Sequence, residues 1–131
     1  MNIASQLPEP INRFTIDVPA NQYYDFELEP DSTYPLKGVT YPVDYGNIPG
    51  YTAEDGHELD FFIGSQTDGE IGYVLVDRGE HTPNEHKFYI GLTTEQVQVV
   101  LLQLKPVLIE SKKITGPASL LEMIEQYKVT K

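Results

Sequence analysis

Leu59-Asp60-Phe61-Phe62-Ile63-Gly64 is a short apolar run stopped by glycine, and Ile71-Gly72-Tyr73-Val74-Leu75-Val76 follows the turn pair Asp68-Gly69. Runs of this length, rich in β-branched and aromatic residues and bounded by turn residues, read as strands. Outward from them, Phe14-Thr15-Ile16-Asp17-Val18 alternates and is closed by Pro19, and Tyr24-Asp25-Phe26-Glu27-Leu28 alternates and is closed by Pro30. Val39-Thr40-Tyr41 runs into Pro42, and Lys87 to Ile90 forms one more short run. Short strands at this spacing predict a small barrel or sandwich. The end of the chain changes period. Thr93 or Thr94 can cap a helix carrying Val97, Val100, Leu101 and Leu104, with Glu95 in its first turn. Pro106 ends or kinks that helix. Pro117 suits the first turn of a second one, in which Leu120, Leu121, Ile124 and Tyr127 recur at helical spacing. The predicted class is α+β, mainly β. It is one domain over residues 1–131, with an extended arm at 1–12, a β-barrel body at 13–92 and a helical tail at 93–131.

Composition narrows the function. The chain has 131 residues, a formal net charge of −11 and no cysteine. Residues 1–90 hold 16 Asp and Glu against 4 Lys and Arg, whereas residues 91–131 hold 4 against 5. So acidic a body excludes nucleic acid as the expected partner, because a phosphate backbone must be met by Lys and Arg. It suits hard cations held by carboxylate oxygens. The absence of cysteine removes disulfides and thiolate metal sites and points to a reducing compartment, with the cytoplasm as the default. No apolar run is long enough to cross a membrane as a helix, and Met1 to Pro10 lacks the basic-then-apolar pattern of a secretory leader.

Two segments concentrate the chemistry. Tyr41-Pro42-Val43-Asp44-Tyr45-Gly46 is followed by Asp55-Gly56-His57-Glu58-Leu59-Asp60, in which a carboxylate on a turn and one at a strand start can converge on one ion. Glu80-His81-Thr82-Pro83-Asn84-Glu85 is a loop between strands with a carboxylate at each end, and Asp17 lies on the first strand. Mg²⁺ keeps several waters, so a few carboxylates plus a substrate phosphate suffice to hold it. Two such ions can stabilise both an attacking water and a leaving oxygen. His81 and His86 flank the loop; they are either softer ligands for Zn²⁺ or Mn²⁺ or solvated loop histidines.

This ordered set resembles the soluble inorganic pyrophosphatases. Tyr41-Pro42 and Tyr45-Gly46 match the family's tyrosine-proline and tyrosine-glycine pairs. Asp55 and Asp60 match the outer members of its Asp-x-Asp-x-x-Asp turn, with His57 in place of the middle aspartate. Ile16-Asp17-Val18-Pro19-Ala20-Asn21 resembles a family strand that carries glutamate. Glu80, Glu85 and Lys87 reproduce the spacing of two aspartates and a lysine, and Tyr127-Lys128 resembles a phosphate-holding pair. The likeness covers about residues 14–90 and the last helix. It implies an OB-like five-stranded barrel with C-terminal helices packed on it, and Mg²⁺-dependent hydrolysis of pyrophosphate, with Mn²⁺ or Zn²⁺ as other metals.

The resemblance also implies roles. Asp55, Asp60, Glu80, Glu85 and Asp17 would be metal ligands, and Asp55, Asp60 and His57 would be catalytic, His57 as assisting base. Tyr45, Lys87, Tyr127 and Lys128 would contact substrate. Family members assemble as dimers or hexamers, so a homo-oligomer is expected. Two departures are visible. His57 brings no negative charge, and the family's strand lysine and its arginine before the Tyr-Pro pair are missing, with only Lys37 or Arg78 as substitutes. These favour, as the alternative, a relative that binds metal, a phosphate compound or a partner protein without turnover or with another substrate. For Tyr45, Tyr127 and Lys128 the plain alternatives are a barrel-mouth aromatic, helix packing and a helix-end charge.

Overall fold

The computed structural model describes residues 7, 14–25, 38–54, 56–78 and 83–128. Eight strands and two helices follow in the order β1 (Thr15–Val18), β2 (Tyr23–Asp25), β3 (Gly38–Thr40), β4 (Asp44–Thr52), β5 (Glu58–Ile63), β6 (Glu70–Val76), β7 (Glu85–Leu92), α1 (Thr94–Leu104), β8 (Leu108–Lys113) and α2 (Gly116–Ile124), with a 3₁₀ turn at Glu125–Tyr127. The fold is mixed and mainly β. Six strands form one sheet in the order β1-β4-β5-β7-β6-β8, and β2 and β3 pair separately. Among the described residues only β5 and β7 run parallel in the large sheet; the other pairs are antiparallel.

The strands predicted around Phe61, Val74 and Phe88 are present. Their continuous apolar character has a physical cause: β5, β6 and β7 are covered on both faces. On one face Phe62, Val74, Val76 and Tyr89 pack under Val97, Val100 and Leu104 of α1. On the other, Ile48, Leu59, Phe61, Tyr73, Phe88 and Ile90 pack under Leu120 and Ile124 of α2. The two helices therefore lie on opposite faces of the sheet. Leu7, from the predicted extended arm, is buried in the α2-side core; the remainder of that arm lies outside the described residues, as does the Phe26-Glu27-Leu28 part of the second predicted strand.

Two elements depart from expectation. The tail is not wholly helical, because Leu108–Lys113 forms β8 on the outer edge of β6. Pro106 stops α1, and Val107-Leu108-Ile109 then favours an extended chain. The lysines at 112 and 113 suit an edge strand. The expected strands also omitted β4, whose pattern is broken by Gly46, Pro49 and Gly50. Its pairing with β5 skips from Ile48 to Thr52, so Pro49 falls in a bulge where no ladder donor is needed. Thr93 caps α1 with Glu95 in its first turn, as expected, and Gln96 closes the capping box.

Gly46 of the Tyr-Gly pair has a packing reason. A Cβ there would lie 1.9 Å from the Thr15 carbonyl oxygen of β1. We predict that Gly46→Ala pushes β1 off the sheet edge and costs about 2–3 kcal/mol in urea unfolding. Wild-type stability in the variant would show that β1 does not approach this closely.

Candidate functional site

Strand register brings four of the candidate residues together. Glu85 and Lys87 alternate with His86 on β7, and Lys87 lies opposite Val74 on the α1 side. Asp60 pairs with Asn47, and Tyr45 with Phe62, on the same side. Among these side chains the Lys87 ammonium donates to the Tyr45 hydroxyl at 2.5 Å and to Asp60 Oδ2 at 3.1 Å, and it lies 3.5 Å from Glu85 Oε1. The Tyr45 hydroxyl donates to the same Asp60 Oδ2 at 2.7 Å. Arg78, just past the end of β6, places Nε 3.5 Å from Glu85 Oε2. Two carboxylates and two cations thus alternate through a group in which the Glu85 side chain is 1% exposed and that of Lys87 5%. Burial of unpaired charges would cost several kcal/mol each, and this alternation removes that cost.

The neighbouring motif residues have local reasons. Tyr41, Tyr45 and Phe62 form an aromatic wedge with ring centroids 4.7 to 5.2 Å apart. Asn21 in Pro19-Ala20-Asn21 takes a positive φ of 67° and donates its backbone N–H to the Tyr41 carbonyl, while Asp44 accepts from Ala20. Asp17 sits where the β1–β4 register shifts, between Ile16 and Val18. The irregularity re-aims its side chain to accept from Asn47 Nδ2 at 2.8 Å, one strand away from Asp60.

Other candidates are placed elsewhere. His57 is exposed at the tip of the β4–β5 turn, which is closed by Ala53 N–H donating to the His57 carbonyl and by Gly56 at φ +85°. Tyr127 is on the α2 side of the sheet, packed edge-on against Phe88, and its hydroxyl donates to Glu54 Oε2 at 3.3 Å. Lys128 is exposed, and its backbone bridges to Tyr51. Neither Tyr127 nor Lys128 joins the Lys87 group. Asp55, Glu80, Lys37 and His81 lie outside the described residues. His86 contacts Glu54 through its ring Nδ1 and packs edge-on against Tyr73. Among the described residues no three carboxylates or histidines gather around a common point that would hold a metal ion. Glu54 carried no signal in the sequence: it lies beside the motif aspartate without belonging to the motif.

Electrostatics keep the phenols of this region protonated. Burial, and then the Asp60 charge, raises Tyr45 well above the ordinary phenol value. Burial and Glu54 raise Tyr127, burial and Glu110 raise Tyr73, and burial and Glu70 push Tyr89 up to about 12. At the far end of the sheet, hydrogen bonding from Thr94 and then from Lys113 lowers Glu70, whose carboxylate lines a cavity of about 350 Å³ with Thr67, Asp68 and Thr93.

Compared with protein-family models, with curated proteins and with solved structures, the chain matches none of them. Among the described residues no helix is long and apolar enough to cross a membrane.

Two outcomes follow from the Lys87 group. Lys87→Met leaves the buried Glu85 and the half-buried Asp60 carboxylates with a reduced positive charge between them and is expected to cost about 3–5 kcal/mol in urea unfolding; adding Asp60→Asn should recover part of that loss. A near-neutral Lys87→Met would show that the pair is not buried as described. On the alkaline side, the raised phenols contribute stability that is complete below about pH 10 and is lost as pH rises through their folded values. Absorbance titration of the 9 tyrosines should show a late component that Tyr45→Phe reduces; a single early transition would contradict the burial of Tyr45.

Proposed function

We propose that the chain is a divalent-metal-dependent hydrolase of inorganic pyrophosphate. The observation that carries this reading is the meeting of Tyr45, Asp60, Glu85 and Lys87, drawn from β4, β5 and β7, in one connected group. The same residues, far apart in the chain, carry the resemblance to the soluble pyrophosphatases.

The donors present fit a metal in part. Asp60 takes both of its hydrogen bonds on Oδ2, and among the described residues Oδ1 accepts none, on a side chain 21% exposed. That hard oxygen suits Mg²⁺ or Mn²⁺, and Zn²⁺ less well. Glu85 does not fit while it faces Lys87 and Arg78. Asp60 would hold the ion together with Asp55 and Glu80, with Asp17 nearby beyond Asn47. The ion would supply an acidified water and neutralise phosphate charge. The chain's own part is orientation. Lys87 and Tyr45 fix the Asp60 carboxylate; Tyr45, held protonated, gives its one O–H to Oδ2 and would reach a phosphate oxygen only by turning away from Asp60. Lys87 and Arg78 supply positive charge beside the place where phosphate would lie. His57, on the exposed turn next to Asp55, is the assisting base in this reading.

The OB-like barrel belongs to the same proposal. The path β1-β4-β5-β7-β6 is the one a five-stranded barrel would close by pairing β6 with β1, and β8 takes that edge of β6 in the open sheet. A homo-oligomer and a cytoplasmic setting complete the reading, the latter supported by the absence of cysteine.

A second reading is favoured by one observation: the group is already charge-balanced, Asp60 and Glu85 against Lys87 and Arg78. A balanced cluster attracts a cation weakly, which suits a chain that binds a metal, a phosphate compound or a partner protein without turnover. Phosphate release from pyrophosphate, measured with Mg²⁺ and Mn²⁺, separates the two. The hydrolase reading expects turnover that falls about 100-fold or more in Asp60→Asn. Calorimetric binding of pyrophosphate with no turnover would establish the second reading, and unaltered turnover in Asp60→Asn would remove the site assignment.

A further inference from the structure

On the side of the sheet away from Lys87, Glu54 is the centre of a second group. Its Oε1 accepts the backbone N–H of His86 at 3.2 Å, and its Oε2 faces both the His86 ring Nδ1 and the Tyr127 hydroxyl. The His86 ring lies between Tyr73 and Tyr127, with centroids 5.0 and 6.3 Å away. One carboxylate thus grips a single β7 residue by its main chain and by its ring, and the C-terminal 3₁₀ turn by a phenol.

The place of this grip matters more than its strength. Backbone pairing between β5 and β7 begins at Phe61 with Phe88. Residues 85–87 pair with β6 along one edge but start β7 before β5 supports the other, and Glu54 supplies an acceptor on that second edge. Glu54 itself follows the gap in the β4–β5 register between Ile48 and Thr52 and precedes Gly56 and His57 in the turn that Ala53 closes onto the His57 carbonyl. Alternation along β7 sends Glu85 and Lys87 to one face and His86 to the other. Holding His86 consequently sets the backbone from which Glu85 and Lys87 both project.

We propose that Glu54 is a positioning residue that locks the 53–57 turn to the start of β7, with Tyr127 as the strut behind it rather than a substrate contact. In its metal readout this rests on the pyrophosphatase reading; in its structural readout it does not. Supporting partners of metal ligands commonly change metal affinity by about 10- to 100-fold when removed, and Glu54 acts at one remove, through the turn and through His86.

The test uses the full ¹⁵N-labelled chain, titrated with Mn²⁺ alone and followed by amide spectra and paramagnetic broadening, for wild type, Glu54→Gln, Tyr127→Phe and the double variant. The expected result is that Glu54→Gln shifts the amides of 55–57 and of 85–87 together and raises the Mn²⁺ midpoint about 10-fold. Tyr127→Phe should do the same more weakly, and the double variant should be no worse than Glu54→Gln, because both act through one carboxylate. Shifts confined to the turn with an unchanged midpoint, or effects that add as if independent, would overturn the proposal. If wild type shows no Mn²⁺ broadening near Asp60, the metal reading fails by itself. The amide shifts then decide: joint movement of both segments supports the lock, and movement of the turn alone rejects it. Should Glu54→Gln not fold, Tyr127→Phe alone decides on the same two readouts.

Discussion

The buried ammonium of Lys87 is the constraint around which the sheet is arranged. A cation at that depth is tolerable only with oppositely charged and hydrogen-bonding partners, and each of its partners stands at a set register position: Tyr45 on β4, Asp60 on β5, Glu85 on its own strand. A slip of one residue in β7 would turn Lys87 into the apolar face occupied by Phe61, Phe88 and Leu120 and would bring Phe88 against Asp60. The polar group therefore specifies one pairing of three strands that are otherwise interchangeable apolar ribbons. Its contribution is to uniqueness more than to net stability, since a desolvated ion pair roughly balances its own burial.

Coverage of both faces makes this specification necessary. With α1 on one side and α2 on the other, the central strands have little of the polar alternation that marks a half-exposed strand. Face assignment then depends on the few polar positions left. Lys87 and Glu85 mark the α1 side, and His86 with Tyr73 marks the α2 side, where hydroxyl, imidazole and carboxylate groups gather at the rim of the core. The same short stretch of β7 thus writes the two faces at once.

How much of this was legible in the sequence follows from the same physics. β5, β6 and β7 were legible because short β-branched runs between turn residues admit few other readings. So was α1, from Val97, Val100 and Leu104 at helical spacing beneath a threonine cap. β4 was hidden because glycine and proline are depleted in strands, and here they serve a close approach at Gly46 and a bulge at Pro49. β8 was hidden because a short segment after a proline carries too little pattern to announce an edge strand. Which helix covers which face was not readable at all, since an apolar run does not say what lies on either side. At the site, the grouping of Tyr45, Asp60, Glu85 and Lys87 agrees with the motif spacing. The placement of Tyr127 does not, because helical spacing identifies a face of the helix without identifying the sheet face it meets. Glu54 was invisible because its partners lie 32 and 73 residues away.

Charge bookkeeping over the whole chain sharpens what such a site can recognise. Residues 1–90 hold only 4 basic side chains, Arg13, Lys37, Arg78 and Lys87. Two of these stand in the Lys87 group, spent on Asp60 and Glu85. The cluster is locally neutral, so the net charge of −11 is carried by the rest of the chain. A field of that sign concentrates cations and repels free anions, and it weakens as salt rises. A bare pyrophosphate would therefore meet repulsion on approach. Each bound divalent ion cancels two of its charges, so its metal complex would meet less. On the hydrolase reading, recognition has to begin with the metal, and the phosphate-facing donors act only after the complex has reached the site.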